Sequence, residues 1–141
     1  MMRVDFYIVN GEQEHDREIF ACRLAEKAYK QGYRVVLRSI DEAQAYALDN
    51  LLWTFNSDSF VPHSCDKHDA DSPIRVEHDL STDTQYDVLI NLNEKAAIEL
   101  TSFSRIAEIV NQDPSRRTLA RQRYTQYREN GLEVSSHHVN K

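Results

Sequence analysis

The sequence predicts a single α/β domain, doubly wound, with a mainly parallel sheet flanked by helices, and three observations carry that prediction. Segments rich in β-branched and aromatic residues alternate with amphipathic helical segments from residue 3 onward, which is the pattern of parallel strands joined by right-handed helical crossovers. In the run Asp87-Val88-Leu89-Ile90-Asn91-Leu92 three consecutive residues, Val88 to Ile90, are apolar without in-and-out alternation, as a strand covered on both faces requires. With 141 residues, 40% hydrophobic and 28% charged, the chain is long enough to bury one continuous core, so residues 1–141 are expected to form one domain.

The elements follow in order. Residues 3–9, with Val4, Phe6, Tyr7, Ile8 and Val9, read as a first strand. Residues 14–31 read as an amphipathic helix with Phe20, Leu24 and Ala28 on one face and Gly32 as its stop. Tyr33 to Leu37 gives a second strand. Asp41 is placed to cap a helix that runs through Ala43, Ala45, Ala47, Leu48, Leu51 and Leu52 to Trp53. Residues 54–72 are rich in Asp, Ser and His and read as a long polar loop. Ile74-Arg75-Val76 suits a short strand, 87–92 a buried one, and Phe103 to Val110 a further strand, although its spacing also fits a short helix. A helix over 114–130 ends at Gly131, Leu132-Glu133-Val134 adds an edge strand, and 135–141 is left as a polar tail.

Several function classes are disfavoured. No apolar run approaches the roughly 20 residues of a membrane span. The amino terminus enters a strand pattern without the parts of a secretion signal, so a cytoplasmic location is expected. Cys22 and Cys65 offer no disulfide framework and are expected to be reduced thiols. The turn after the first strand, Asn10 to Asp16, holds one glycine together with Glu12, Glu14 and Asp16. Those acids would repel phosphate, so the expected scaffold is Rossmann-like without a nucleotide-binding loop. No cofactor is expected. His63, Cys65 and His68 form His-x-Cys-x-x-His, with Asp66, Asp69, Asp71 and His78 nearby, and could build a zinc shell or a thiol site in a small enzyme. The plainer reading is a solvated polar loop.

The helix over 114–130 is the most pointed feature. It carries Arg116, Arg117, Arg121, Arg123 and Arg128 with no acid before Glu129, in a chain of net charge −6. The remaining residues therefore sum to −11, the −6 of the chain less the +5 of these arginines. At about 100° per residue, Arg117, Arg121, Tyr124 and Arg128 share one stripe. Guanidinium forks around an aromatic ring suit a carboxylate attached to something apolar. DNA is a weaker candidate, because the acidic remainder of the protein opposes a polyanion.

Taken together, Phe6-Tyr7-Ile8, Asp41 to Asp49 running to Leu52-Trp53, Ser59-Phe60-Val61-Pro62-His63, Asp87 to Leu92, and Ala120 to Gly131 resemble the chi subunit of bacterial DNA polymerase III holoenzyme. The resemblance runs over nearly the whole chain in the family's order. It implies a noncatalytic accessory protein of the clamp loader that pairs with the psi subunit and grips the acidic carboxyl-terminal tail of single-stranded DNA-binding protein, which ends in Pro-Phe. On this resemblance the tail pocket uses Arg121 and Tyr124, supported by Arg117, Arg128 and Val110, while Trp53, Phe60, Val61 and Pro62 serve the psi interface. A helicase could share that second surface. DNA would be met only indirectly, and no membrane is involved. Thr125 stands where some members of the family have lysine, which removes one charge contact with the tail.

Overall fold

The computed structural model describes residues 3–54, 73–78, 86–97 and 103–139, the side chain of Trp53 excepted. Strands β1 (Arg3–Ile8), β2 (Val35–Arg38), β3 (Ile74–Glu77), β4 (Val88–Asn91), β5 (Arg105–Val110) and β6 (Glu133–His138) form one sheet in the order β3-β2-β4-β5-β1-β6. Every pairing is parallel. Helices α1 (Glu14–Lys30), α2 (Glu42–Thr54) and α3 (Pro114–Glu129) cover it from two sides. The helices α1 and α2 bury Ala21, Cys22, Ala25, Leu48 and Leu52 against Val35, Leu37, Ile90 and Ile109. On the other face α3 buries Ala120 and Tyr127 against Phe6, Leu89, Ile106 and Val110. Such two-sided burial is what a parallel sheet demands.

Local chemistry sets the element ends. Asp41 accepts from the Gln44 amide at 2.8 Å and so caps α2. Asp113 accepts from the Arg116 amide at 3.0 Å, with Pro114 in the first turn of α3. Gly32 and Gly131 take φ of +90° and +80° just past α1 and α3, where only glycine is unstrained.

Three expectations change. The second strand begins at Val35 instead of Tyr33, which is exposed, because the Arg34 amide is drawn to the Asp87 carboxylate at 2.8 Å. The innermost face of α1 is Arg17, Ala21, Cys22 and Ala25, with Phe20, Leu24 and Ala28 at its flank. The last strand is longer than 132–134 and takes in residues 135–138 of the supposed tail. Its polar side chains hide it from a hydrophobicity pattern, yet its backbone pairs with β1 at each position from Glu133 to His138. Phe103 to Val110 resolves as strand, with Arg105–Val110 paired to both β4 and β1. The turn Asn10 to Asp16 is closed by the chain itself: the Asp16 carboxylate lies against Gly11 and accepts from the Gln13 amide at 3.1 Å, taking a donor that a phosphate would need.

Candidate functional site

The orientation of α3 is decided by one buried carboxylate. Glu108 in β5 is fully buried and receives Arg123 Nε at 3.0 Å, the Tyr127 hydroxyl at 2.6 Å and Asn91 Nδ2 at 2.8 Å. The Tyr127 oxygen in turn accepts from the Ala97 amide at 2.9 Å. Burial pushes the Glu108 carboxyl above the usual range, opposed first by the Arg123 charge and then by these hydrogen bonds. Because Ala120, Arg123 and Tyr127 must face this anchor, Arg117, Arg121, Tyr124 and Arg128 are rotated toward the rim and the solvent.

The strand register then supplies a floor. Phe6 lies beside Ser136, and Ile8 lies between Val110 and His138, so these side chains stand on the α3 side of the sheet. Between that floor and the helix is a groove of about 240 Å³. Helix α3 contributes Arg117, Ala120, Arg121 and Tyr124, and the sheet side contributes Phe6, Ile8, Val110, Gln112, Ser136 and His138. The Tyr124 ring is half-buried and packs on Phe6 with centroids 5.2 Å apart at 52°. Gln112 is held by its own bond from Nε2 to the Val9 carbonyl at 3.1 Å.

Four of the five tail residues expected from sequence, Arg121, Tyr124, Arg117 and Val110, therefore line one groove, and Arg128 does not. Arg128 is exposed on the same stripe, farther along the helix. The guanidiniums of Arg117, Arg121 and Arg128 have no hydrogen-bond or ion-pair partner among the described residues. The other two arginines of the helix are engaged elsewhere: Arg123 is spent on Glu108, and Arg116 lies 3.1 Å from Glu94 and 3.4 Å from Glu14. Thr125 bonds the Arg121 carbonyl of its own helix at 3.2 Å. Sequence reasoning missed Phe6, Ile8, Gln112, Ala120, Ser136 and His138. Only strand pairing brings them to α3, and no local pattern announces it.

The psi-interface candidates divide. Trp53 belongs to the last turn of α2, but its side chain, like Phe60, Val61 and Pro62, lies outside the described residues. His63, Cys65 and His68 also lie outside them. Among the described residues no group of His, Cys, Asp or Glu could hold a metal ion. Cys22 is a free buried thiol whose pKa is pushed up to about 12 by burial and, less, by Glu18, so it is unreactive. No described helix is long and apolar enough to cross a membrane.

The family model for the DNA polymerase III chi subunit, HolC, matches residues 1–135. A DNA polymerase III subunit chi of Pseudomonas aeruginosa is 40% identical over 139 residues, covering 99% of this chain and 98% of the relative. The DNA polymerase III subunit chi of Haemophilus influenzae is 31% identical over 137 residues, covering 95% of each chain. That of Escherichia coli is 29% identical over 143 residues, covering 96% of this chain and 97% of the relative.

Proposed function

Since the chain belongs to the DNA polymerase III chi subunit family, a set of replication accessory proteins, we propose that it is a noncatalytic adaptor whose α3 groove binds the acidic tail of single-stranded DNA-binding protein. One observation carries this reading: an apolar floor of Phe6, Val110 and Tyr124 lies beside the Arg117 and Arg121 guanidiniums, which have no partner among the described residues. A peptide ending in phenylalanine offers the complementary pair, a ring for the floor and a terminal carboxylate for a guanidinium fork. Arg121 is assigned the carboxylate, Tyr124 and Val110 the ring, and Arg117 the upstream aspartates. Arg128, outside the groove, acts on the acidic segment at longer range.

The second face of the adaptor is assigned to psi, through Trp53, Phe60, Val61 and Pro62 at and beyond the end of α2. A weak tail contact then gains strength from the many tails present on coated single-stranded DNA, by effective concentration. No step of this role requires a reacting group, a metal or a cofactor.

The test is fluorescence anisotropy of a labelled acidic peptide ending in Asp-Ile-Pro-Phe, compared with its carboxyl-amidated twin. The free acid is expected to bind, and amidation or Arg121→Ala to weaken binding about tenfold, roughly 1.4 kcal/mol. Equal affinity for acid and amide would remove Arg121 from the carboxylate role, and binding of neither peptide would sink the adaptor reading of this groove.

A further inference from the structure

A second cavity, of about 310 Å³, lies on the α1 side of the sheet at the amino-terminal end of the strands. Register builds its cationic wall. Arg3 is paired with Arg105 across β1 and β5, so the two side chains stand together on the face opposite α3. Beneath them Asp5, with no exposed side-chain surface, accepts from Arg3 Nε at 3.2 Å and from Arg105 Nε at 2.9 Å. Burial acts to raise the Asp5 pKa, but hydrogen bonds from His137 and Arg105 and the charges of Arg105 and Arg3 prevail and hold it below the usual carboxylate range. A buried anion thus orients two guanidiniums by their Nε atoms.

The cations remain available to a ligand. Arg3 and Arg105 are 48% and 46% exposed at their side chains. Arg105 gives one terminal amino group to the Tyr7 oxygen at 3.1 Å, which leaves the Tyr7 proton to donate. Burial raises the Tyr7 pKa and keeps that hydroxyl neutral. Lys27 of α1 lines the same cavity, and its ammonium has no partner among the described residues. Opposing charge on this face comes from Asp5 below and from Glu133, the exposed register neighbour of Arg3 on β6. The last turn of α1 is closed by the Gln31, Gly32 and Tyr33 amides, which donate to carbonyls of residues 27–29, so its carbonyls do not face an incoming anion unpaired. Leu24 and the ring of Tyr33, which is 47% exposed, supply an apolar wall beside the charges.

We infer that this cavity binds a phosphate group carried on a small flat body, the chemistry of a nucleotide. Donors converge from Arg3, Arg105, Lys27 and Tyr7, a set that suits the several oxygens of a tetrahedral dianion better than the two in-plane oxygens of a carboxylate. The Tyr33 ring offers a stacking surface for a base. The site is at the opposite end of the strands from the Gly11 turn, where the Asp16 carboxylate lies against the glycine.

The experiment is an NMR titration of the full chain with thymidine monophosphate, thymidine, inorganic phosphate and a short thymidine oligonucleotide. Thymidine monophosphate is expected to bind saturably and at least about tenfold more tightly than thymidine or inorganic phosphate. Lys27→Glu, at an exposed residue, is expected to abolish that binding and leave tail-peptide affinity unchanged, while Arg121→Ala does the reverse. An oligonucleotide that binds more tightly than the monophosphate, with the same loss in Lys27→Glu, assigns the phosphate to a strand. Equal affinities assign it to a free nucleotide. Thymidine or phosphate binding as well as the monophosphate, no saturable binding by either phosphate-bearing ligand, or indifference to Lys27→Glu overturns the inference.

Discussion

Glu108 has no exposed surface and three side-chain donors, Arg123, Tyr127 and Asn91. Taking away the guanidinium leaves an uncompensated buried carboxylate, a loss that typically costs about 3–5 kcal/mol. Arg123→Met is therefore expected to be destabilised by about that amount at neutral pH in urea unfolding. The pH dependence has a defined sign. The folded Glu108 pKa is already raised by burial, and removing Arg123 raises it further. A carboxyl raised in the folded state is held protonated there while the unfolded chain ionises, so stability falls as pH rises from the ordinary glutamate value through the folded one. The variant should recover part of its loss on going from about pH 7.5 to about pH 5, and a loss that does not vary with pH would show that Glu108 is not the group left unpaired.

At the scale of elements, α3 serves two masters with adjacent stripes. Its inward stripe, Ala120, Arg123 and Tyr127, is committed to the sheet, and the neighbouring one, Arg117, Arg121 and Tyr124, borders the groove. The hydrophobic-periodicity argument alone places an arginine poorly, because Arg123 and Arg121 differ in fate though both sit in the same cationic helix. The helix start is set by Asp113, which precedes Pro114 and accepts from the Arg116 amide. Asp113→Ala should lower stability by about 1 kcal/mol, measured by thermal unfolding. Its effect on tail affinity should be small, since Arg121 and Tyr124 lie well beyond the first turn. A loss of tail binding as large as that of Arg121→Ala would mean that the first turn carries more of the site than the groove geometry assigns to it.

For the molecule as a whole, the sheet order is what makes the two cavities. Inserting β4 and β5 between β2 and β1 puts β5, β1 and β6 side by side. Each of these strands then offers alternate residues to two faces. One face collects Val110, Ile8 and His138 under α3, and the other collects Arg105 and Arg3 beside α1. Charge works over a longer range. The chain is acidic, at −6, so attraction of an acidic peptide rests on a local cluster that is readily screened, over about 10 Å at 0.1 M salt. Tail-peptide affinity should fall as salt rises. Arg128→Ala should reduce that salt slope and leave the ratio of free-acid to amidated peptide affinity unchanged, because Arg128 lies outside the groove. A changed ratio would place Arg128 at the terminal carboxylate.

What the sequence by itself determined is the alternation of strands and helices, the cap at Asp41, the stops at Gly32 and Gly131, the acidic turn after β1, and the stripe of Arg117, Arg121, Tyr124 and Arg128 on α3. These are local properties, written in propensity, periodicity and charge over a few consecutive residues. The tertiary structure decided the rest. Whether a guanidinium is buried or free depends on which residue faces it: that of Arg123 meets Glu108, that of Arg116 meets Glu94, and that of Arg121 meets no described partner. The polar run Glu133 to His138 is a strand only because β1 offers a paired edge for its backbone. Phe6 and Ile8 reach Tyr124 and Arg121, and Arg3 reaches Arg105, across more than a hundred residues of chain in each case. Contacts of that separation are set by strand order and register, which no local window of sequence contains.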